Sequence, residues 1–158
     1  MIRSLSTLSR AGGAAPVVLR VAIGIVMASH GWQTLTVMGP ANFGGGMLAD
    51  LGIPAPVAVG YLGTFAELIG GVLLVAGLLT RVAALPLIVI LAVATVAVKP
   101  DLGLIAPMGA PMPGVELDLA LIAGLVAVLL LGPGRPSVEH LLGIEPGVTA
   151  GQPAAAVP

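Results

Sequence analysis

A few polar side chains that could do chemistry stand alone within long apolar runs: His30, Gln33, Glu67, Thr95, Lys99 and Asp118, with Arg81 at the end of one run. Glu67 sits in the middle of YLGTFAELIGGVLLVAGLLTR. A carboxylate in hydrocarbon costs about 2.5–3.5 kcal/mol on insertion scales, so it faces a bundle interior, finds partners and marks function. An imidazole can give or take a proton near neutral pH. Together the two groups could hold a small polar headgroup between apolar walls and supply it with a proton. At about 1.5 Å of rise per residue, His30 lies about 21 Å, and Glu67, Thr95 and Asp118 about 20 Å, from the same end of their segments. One polar group per segment therefore falls at one level, and a His30–Glu67 hydrogen bond is expected. Gln33 follows one turn outward on the His30 face, with Lys99 and Glu116 nearer that outer surface. On this reading Glu67, His30 and Asp118 are the catalytic candidates, and Gln33, Thr95, Lys99 and Arg81 the substrate-binding ones. Competing structural roles exist. Asp118 and Glu116 fit the first turn of a helix, where acids complement the macrodipole. His30 could bond a backbone carbonyl, and Arg81 could serve as a topology anchor.

The elements that must position these groups are membrane spans. Of 158 residues 8% are charged, and mean hydropathy is +1.13, whereas a soluble domain has about a quarter of its residues charged. Spans are expected at about 16–38, 57–79, 82–98 and 115–131, each near the length needed to cross a hydrocarbon core of about 30 Å. The implied fold is all-α, an integral membrane four-helix bundle occupying residues 14–143. Residues 1–13 read as a flexible N-terminus and 144–158 as a disordered tail. The loop 39–56 is rich in glycine and proline, with a short interfacial helix expected around Met47–Leu51 and Phe43 at the headgroups. Pro86 is expected in the first turns of its span, where its missing donor is tolerated. Trp32 and Tyr61 read as interfacial belt residues.

Arg3, Arg10, Arg81 and Arg135 fall on the terminal side of this arrangement and only Lys99 on the other, which places both termini in the cytoplasm. Arg20, just inside the membrane, is expected to snorkel to the headgroups. On the second span Gly63, Ala66, Glu67, Gly70 and Gly77 share a face, which predicts close helix packing there. The chain has no cysteine and two histidines, which excludes thiol redox chemistry, thiolate-held metals and covalent haem attachment, and leaves no multi-histidine metal site within one chain. A net charge of −1 without a basic patch gives no basis for nucleic-acid binding.

Four stretches in this order carry a family resemblance: LRVAIGIVMASHGWQTL, FGGGMLADLGIPAP, YLGTFAELIGGVLLVAGLLTRVAAL and LLLGPGRPSVEHLL. The chain resembles the DoxX family of small bacterial four-helix membrane proteins from about Leu19 to Leu142. The matching positions are His30-Gly31, Phe43, Gly52, Pro54, Glu67, Gly70-Gly71, Gly77 and Arg81. A lysine common in the family has no counterpart at Thr34. The Ala/Gly/Val-rich composition is similar to that of high-GC actinobacteria. The resemblance implies a multi-pass protein of the bacterial plasma membrane with no covalently bound cofactor. It implies redox work there: a quinone-linked or oxidative-stress subunit acting with soluble redox or detoxification proteins on the cytoplasmic side. The alternatives are a non-enzymatic scaffold that presents the Arg81 hairpin and residues 135–145 to such proteins, and a proton-coupled small-solute carrier that would work as a homo-oligomer.

Overall fold

The computed structural model describes residues 14–110 and 112–144. The expected flexible N-terminus, and all but residue 144 of the expected disordered tail, lie outside them. Among the described residues every regular element is helical. Helix α1 (Ala15–Gln33) runs on through a π-helical turn, Thr34–Met38. Helix α2 (Pro40–Phe43) likewise continues as a π-helical turn, Gly44–Leu48. Helix α3 (Pro56–Ala76) is followed by α4 (Thr80–Val93), which ends in a third π-helical turn, Ala94–Val98. Helices α5 (Val115–Leu131) and α6 (Val138–Leu142) complete the order.

Proline and glycine set these limits. Pro16 and Pro56 occupy the first turns of α1 and α3, where a missing N–H costs nothing. Gly77 ends α3 in the left-handed region at φ 68°. Its N–H bonds Leu74 O at 3.1 Å while that of Leu78 bonds Leu73 O at 3.0 Å, a pairing that a side chain at position 77 would strain.

Among the described residues three helices are long and apolar enough to cross a membrane: Ala15–Met38, Pro56–Ala76 and Thr80–Val98. A fourth crossing would fall to α5, whose 17 residues rise about 25 Å. The four long helices form a ring in which α3 touches α1 and α4, and α5 touches α4 and α1. The core between them comprises Ile23, Met27, Leu74, Ala83, Ala84, Leu87, Leu91, Leu125 and Val128.

Close packing of α3 uses a face neighbouring the expected one. A Cβ on Gly71 would collide with the backbone of Ala28 and Gly24, and one on Gly31 with Leu68 N at 2.5 Å and Thr64 O at 2.8 Å. The α1–α3 contact is therefore backbone against backbone, built on Gly24, Gly31 and Gly71. Gly70 instead meets the side chain of Leu87 on α4 at 3.3 Å, and Gly63 has nothing within 4 Å. The loop after α1 also differs from expectation. Its helical part begins at Pro40, and Gly44 packs on Pro56 and Val57 while Gly60 lies 2.6 Å from Pro40 O at the Cβ position. Phe43 and Leu48 thereby roof the outer end of the bundle, and Phe43 is half-buried.

Arg20 does not snorkel. It is 3% exposed at the inner end, the end where α3 stops and α4 begins. Its Nε donates to Pro133 O at 2.8 Å, Nη1 to Leu74 O at 2.8 Å and to Val75 O, and Nη2 to Pro136 O. One guanidinium thus caps the last carbonyls of α3 and fastens the loop that follows α5. Glu139 on α6 accepts the N–H of Thr80 at 2.6 Å and donates its own N–H to Gly77 O at 3.0 Å. The segment after α5 is folded against the α3–α4 hairpin by polar contacts throughout.

Candidate functional site

Helices α3 and α4 run antiparallel from their hairpin, in register where Gly70 faces Leu87. Three residues further out, Glu67 is level with Ile90. Between the two helices lies a cavity of about 590 Å³ walled by Gly63, Ala66, Glu67, Val89, Ile90 and Val93, with Phe43 and Leu48 above and Pro86 at its inner end. Pro86 lies inside α4 and not in its opening turn. Its ring replaces a donor to the preceding turn, a local loosening on the side that forms the groove. From Pro86 to Val98 the groove is about 18 Å long. Glu67 is half-buried on its wall, supplies the sole charged side chain of the lining, and makes no hydrogen bond with another described residue.

A second polar group lies between α4 and α5. Lys99 Nζ donates to Asp118 Oδ1 at 2.8 Å, with both side chains nearly buried at 11% and 5% exposure. Thr95 Oγ1 lies 2.8 Å from Leu91 O and 3.2 Å from Asp118 Oδ2, so its single proton serves two acceptors. Thr95 lies within the π-helical turn Ala94–Val98 and Lys99 directly follows it. Such turns widen a helix by one residue and recur at functional positions. Here the turn faces two ways: Ala94 and Val98 line the Glu67 groove, and Thr95 and Lys99 hold Asp118.

The expected catalytic group is therefore only partly assembled. Thr95, Lys99 and Asp118 come together, but as a closed ion pair in which Asp118 is occupied. His30 and Glu67 do stand at one level, since Gly31 packs on Thr64 and Leu68. The expected hydrogen bond between them is absent among the described residues, and His30 is exposed. The cause is helical geometry: Gly31 occupies the α3-facing position, and His30, one residue earlier, is turned by about 100° from it. Gln33 is also exposed. Arg81 is at the opposite end of the bundle, where Nε donates to Leu129 O at 3.0 Å and caps α5. Glu116 accepts the N–H of Gly114 at 3.2 Å with one oxygen, while its buried Oε2 has no partner. Among the described residues no three His, Asp or Glu side chains gather as a metal site.

Sequence reasoning missed the inner-end roles of Arg20 and Glu139. A usable signal was present. An arginine inside an apolar run needs acceptors, and GPGRPS offers carbonyls whose neighbouring prolines have no N–H to compete for them.

The DoxX family model matches residues 15–100, more than half of the chain. An uncharacterized membrane protein of Mycobacterium tuberculosis is 36% identical over 134 residues, covering 78% of each chain. No solved structure matches the chain. The matched region holds α1 through α4, and so both walls of the Glu67 groove and the glycines that pack it. With three helices fit to cross a bilayer, this chain is an integral membrane protein that belongs to the DoxX family.

Proposed function

We propose that the α3–α4 groove binds the headgroup of a membrane-soluble quinone and that the chain is the quinone-linked subunit of a redox or oxidative-stress assembly. The observation that carries this reading is Glu67, a carboxyl with no hydrogen-bond partner among the described residues, on the wall of an otherwise apolar cavity of about 590 Å³. That volume is in the range of small-molecule sites, which are apolar with a few polar groups to orient the ligand. A quinone ring fits such walls, its oxygen can accept a hydrogen bond from a carboxylic acid, and its tail can lie along the remaining length of the groove. Reduction to the quinol takes two electrons and two protons. Glu67 can pass protons, and the electrons come from a partner redox protein. The scaffold alternative is less well supported, because Arg81 and Glu139, the groups that would face a soluble protein, are bonded to Leu129 and Thr80.

The test is photo-crosslinking of an azido-quinone to the protein in lipid nanodiscs, with peptide mapping. Labelling should fall on α3 and α4 around Ala66 and Ile90, be competed by unlabelled quinone, and drop about tenfold in Glu67→Leu, which removes the hydrogen-bond donor. Labelling spread evenly over lipid-facing residues, unchanged in Glu67→Leu, would refute the site.

A further inference from the structure

Four hydroxyls along the long helices bond a carbonyl one turn back on their own helix. Ser29 donates to Ile25 O at 2.7 Å, Thr36 to Trp32 O at 2.8 Å, Thr64 to Gly60 O at 2.7 Å and Thr95 to Leu91 O at 2.8 Å. His30 and Gln33 differ. Both are exposed on α1 and neither has a hydrogen-bond partner among the described residues. Their depth makes this significant. The segment Ala15–Met38 has 24 residues and rises about 36 Å, so its centre lies between Val26 and Met27. His30 is about 5 Å and Gln33 about 10 Å beyond that centre. A hydrocarbon core of about 30 Å extends about 15 Å either way, so both side chains lie inside it. Lipid tails offer neither donor nor acceptor, so polar groups at this depth require a protein partner.

We propose that this face of α1, marked by Val26, His30, Gln33 and Val37, is the contact between two copies of this chain in the membrane. A partner must bring hydrogen-bonding groups to the same depth. A second copy related by a two-fold axis along the membrane normal does so by symmetry, since every residue meets its counterpart at its own level. The chemistry is self-complementary as well: neutral imidazole and carboxamide each carry a donor and an acceptor. Val26, His30 and Gln33, at spacings of four and three residues, lie along one α-helical face, and Val37 follows in the π-helical turn. Val37 is 78% exposed and Val26 half-buried, so apolar residues bracket the polar pair. None of these four residues lines the α3–α4 groove.

The chain has no cysteine, so single-cysteine variants report without background. Val26→Cys and Val37→Cys, in native membranes treated with a mild oxidant, should each form a covalent species of twice the monomer mass. Val72→Cys, on the outer surface of α3, should not. Adding His30→Leu to the Val37→Cys chain should slow crosslinking about three- to tenfold, the range for a hydrogen bond between membrane helices. Three results would overturn the proposal. The first is no homodimer from either α1 variant while the protein is present and folded, and the second is an adduct with a different protein in its place. The third is labelling of His30→Cys by a membrane-impermeant maleimide as fast as Gly109→Cys in the outer loop, which would put the face in water.

Discussion

Replacing Arg20 by methionine should be among the most damaging single changes in the protein. The methionine fills much of the same space but donates nothing, so the acceptors around the guanidinium must be counted. Leu74 O keeps the N–H of Gly77 at 3.1 Å. Val75 O, Pro133 O and Pro136 O lose the arginine donors that hold them. A buried acceptor left unpaired costs about 1–3 kcal/mol, and since Pro133 O is buried and Val75 O and Pro136 O are partly so, three give at most roughly 3–9 kcal/mol. Relief of the guanidinium's own desolvation offsets part of that, and a net loss of about 3–5 kcal/mol is expected, the scale seen when one partner of a buried charged contact is removed. Arg20→Lys should recover little, because a single ammonium cannot reach carbonyls on the end of α3 and on both sides of Gly134 with the fork of an arginine. Reversible unfolding in mixed micelles, followed through Trp32, gives the free-energy difference directly. A loss under about 1 kcal/mol for Arg20→Met would place the side chain among solvated headgroups, where such substitutions cost little, and would refute the clasp.

Gly71→Ala should lower the midpoint of thermal unfolding strongly and Gly70→Ala only slightly, because the added methyl meets backbone of α1 in the first case and the movable side chain of Leu87 in the second. Gly63→Ala, facing the open groove, should leave it unchanged, and a reversed order would contradict the α1–α3 contact. Lys99→Met or Asp118→Leu alone should destabilise by about 3–5 kcal/mol, and the double substitution should recover most of that loss. Equal losses in the double and single variants, in the same unfolding assay, would mean that the pair is held by more than its own charges. Reporter fusions at Gly45 and Met108 should read outside and those at Arg81 and the C-terminus inside, and an external signal from the C-terminus would overturn the four-span topology.

The all-helical fold was legible because the limits of the apolar runs are written in proline and glycine. Pro56, Gly77 and Gly132 stand at helix ends for reasons of backbone geometry that need no knowledge of neighbours. Which face of a helix meets which neighbour was less legible. Gly70 and Gly71 are equally small, and only the placement of α1 decides that Gly71 carries the backbone contact. The same limit affected His30: rise per residue fixed its level with Glu67, but not the rotation that separates them. The π-helical turn Ala94–Val98 adds one residue to the count on which facing positions depend, so periodicity drifts where Thr95 and Lys99 must be placed. Arg20 was misread because snorkelling assumes water within reach, whereas the chain itself supplies acceptors from the end of α3 and the loop after α5.

Two carboxylates at membrane depth received opposite treatment, and the contrast bears on function. Asp118 is given a cation and a hydroxyl, each from a residue one helical turn from the other on α4. Its charge is neutralised where it lies, and its removal should act through stability. Glu67 is given neither by the described residues, although α4 contributes Ile90, Val93 and Ala94 to the same groove. A bundle that needed this residue only for packing would gain from an apolar side chain there, since an unpaired acid in hydrocarbon opposes insertion. The groove on which Glu67 opens is also where Pro86 removes a helix donor and where Gly63 leaves space unfilled. Each departure alone has a local explanation. Their meeting in one groove favours the proposed site for a small apolar molecule with a polar end, and the closed Lys99–Asp118 pair on the far side of α4 holds the α4 wall against α5.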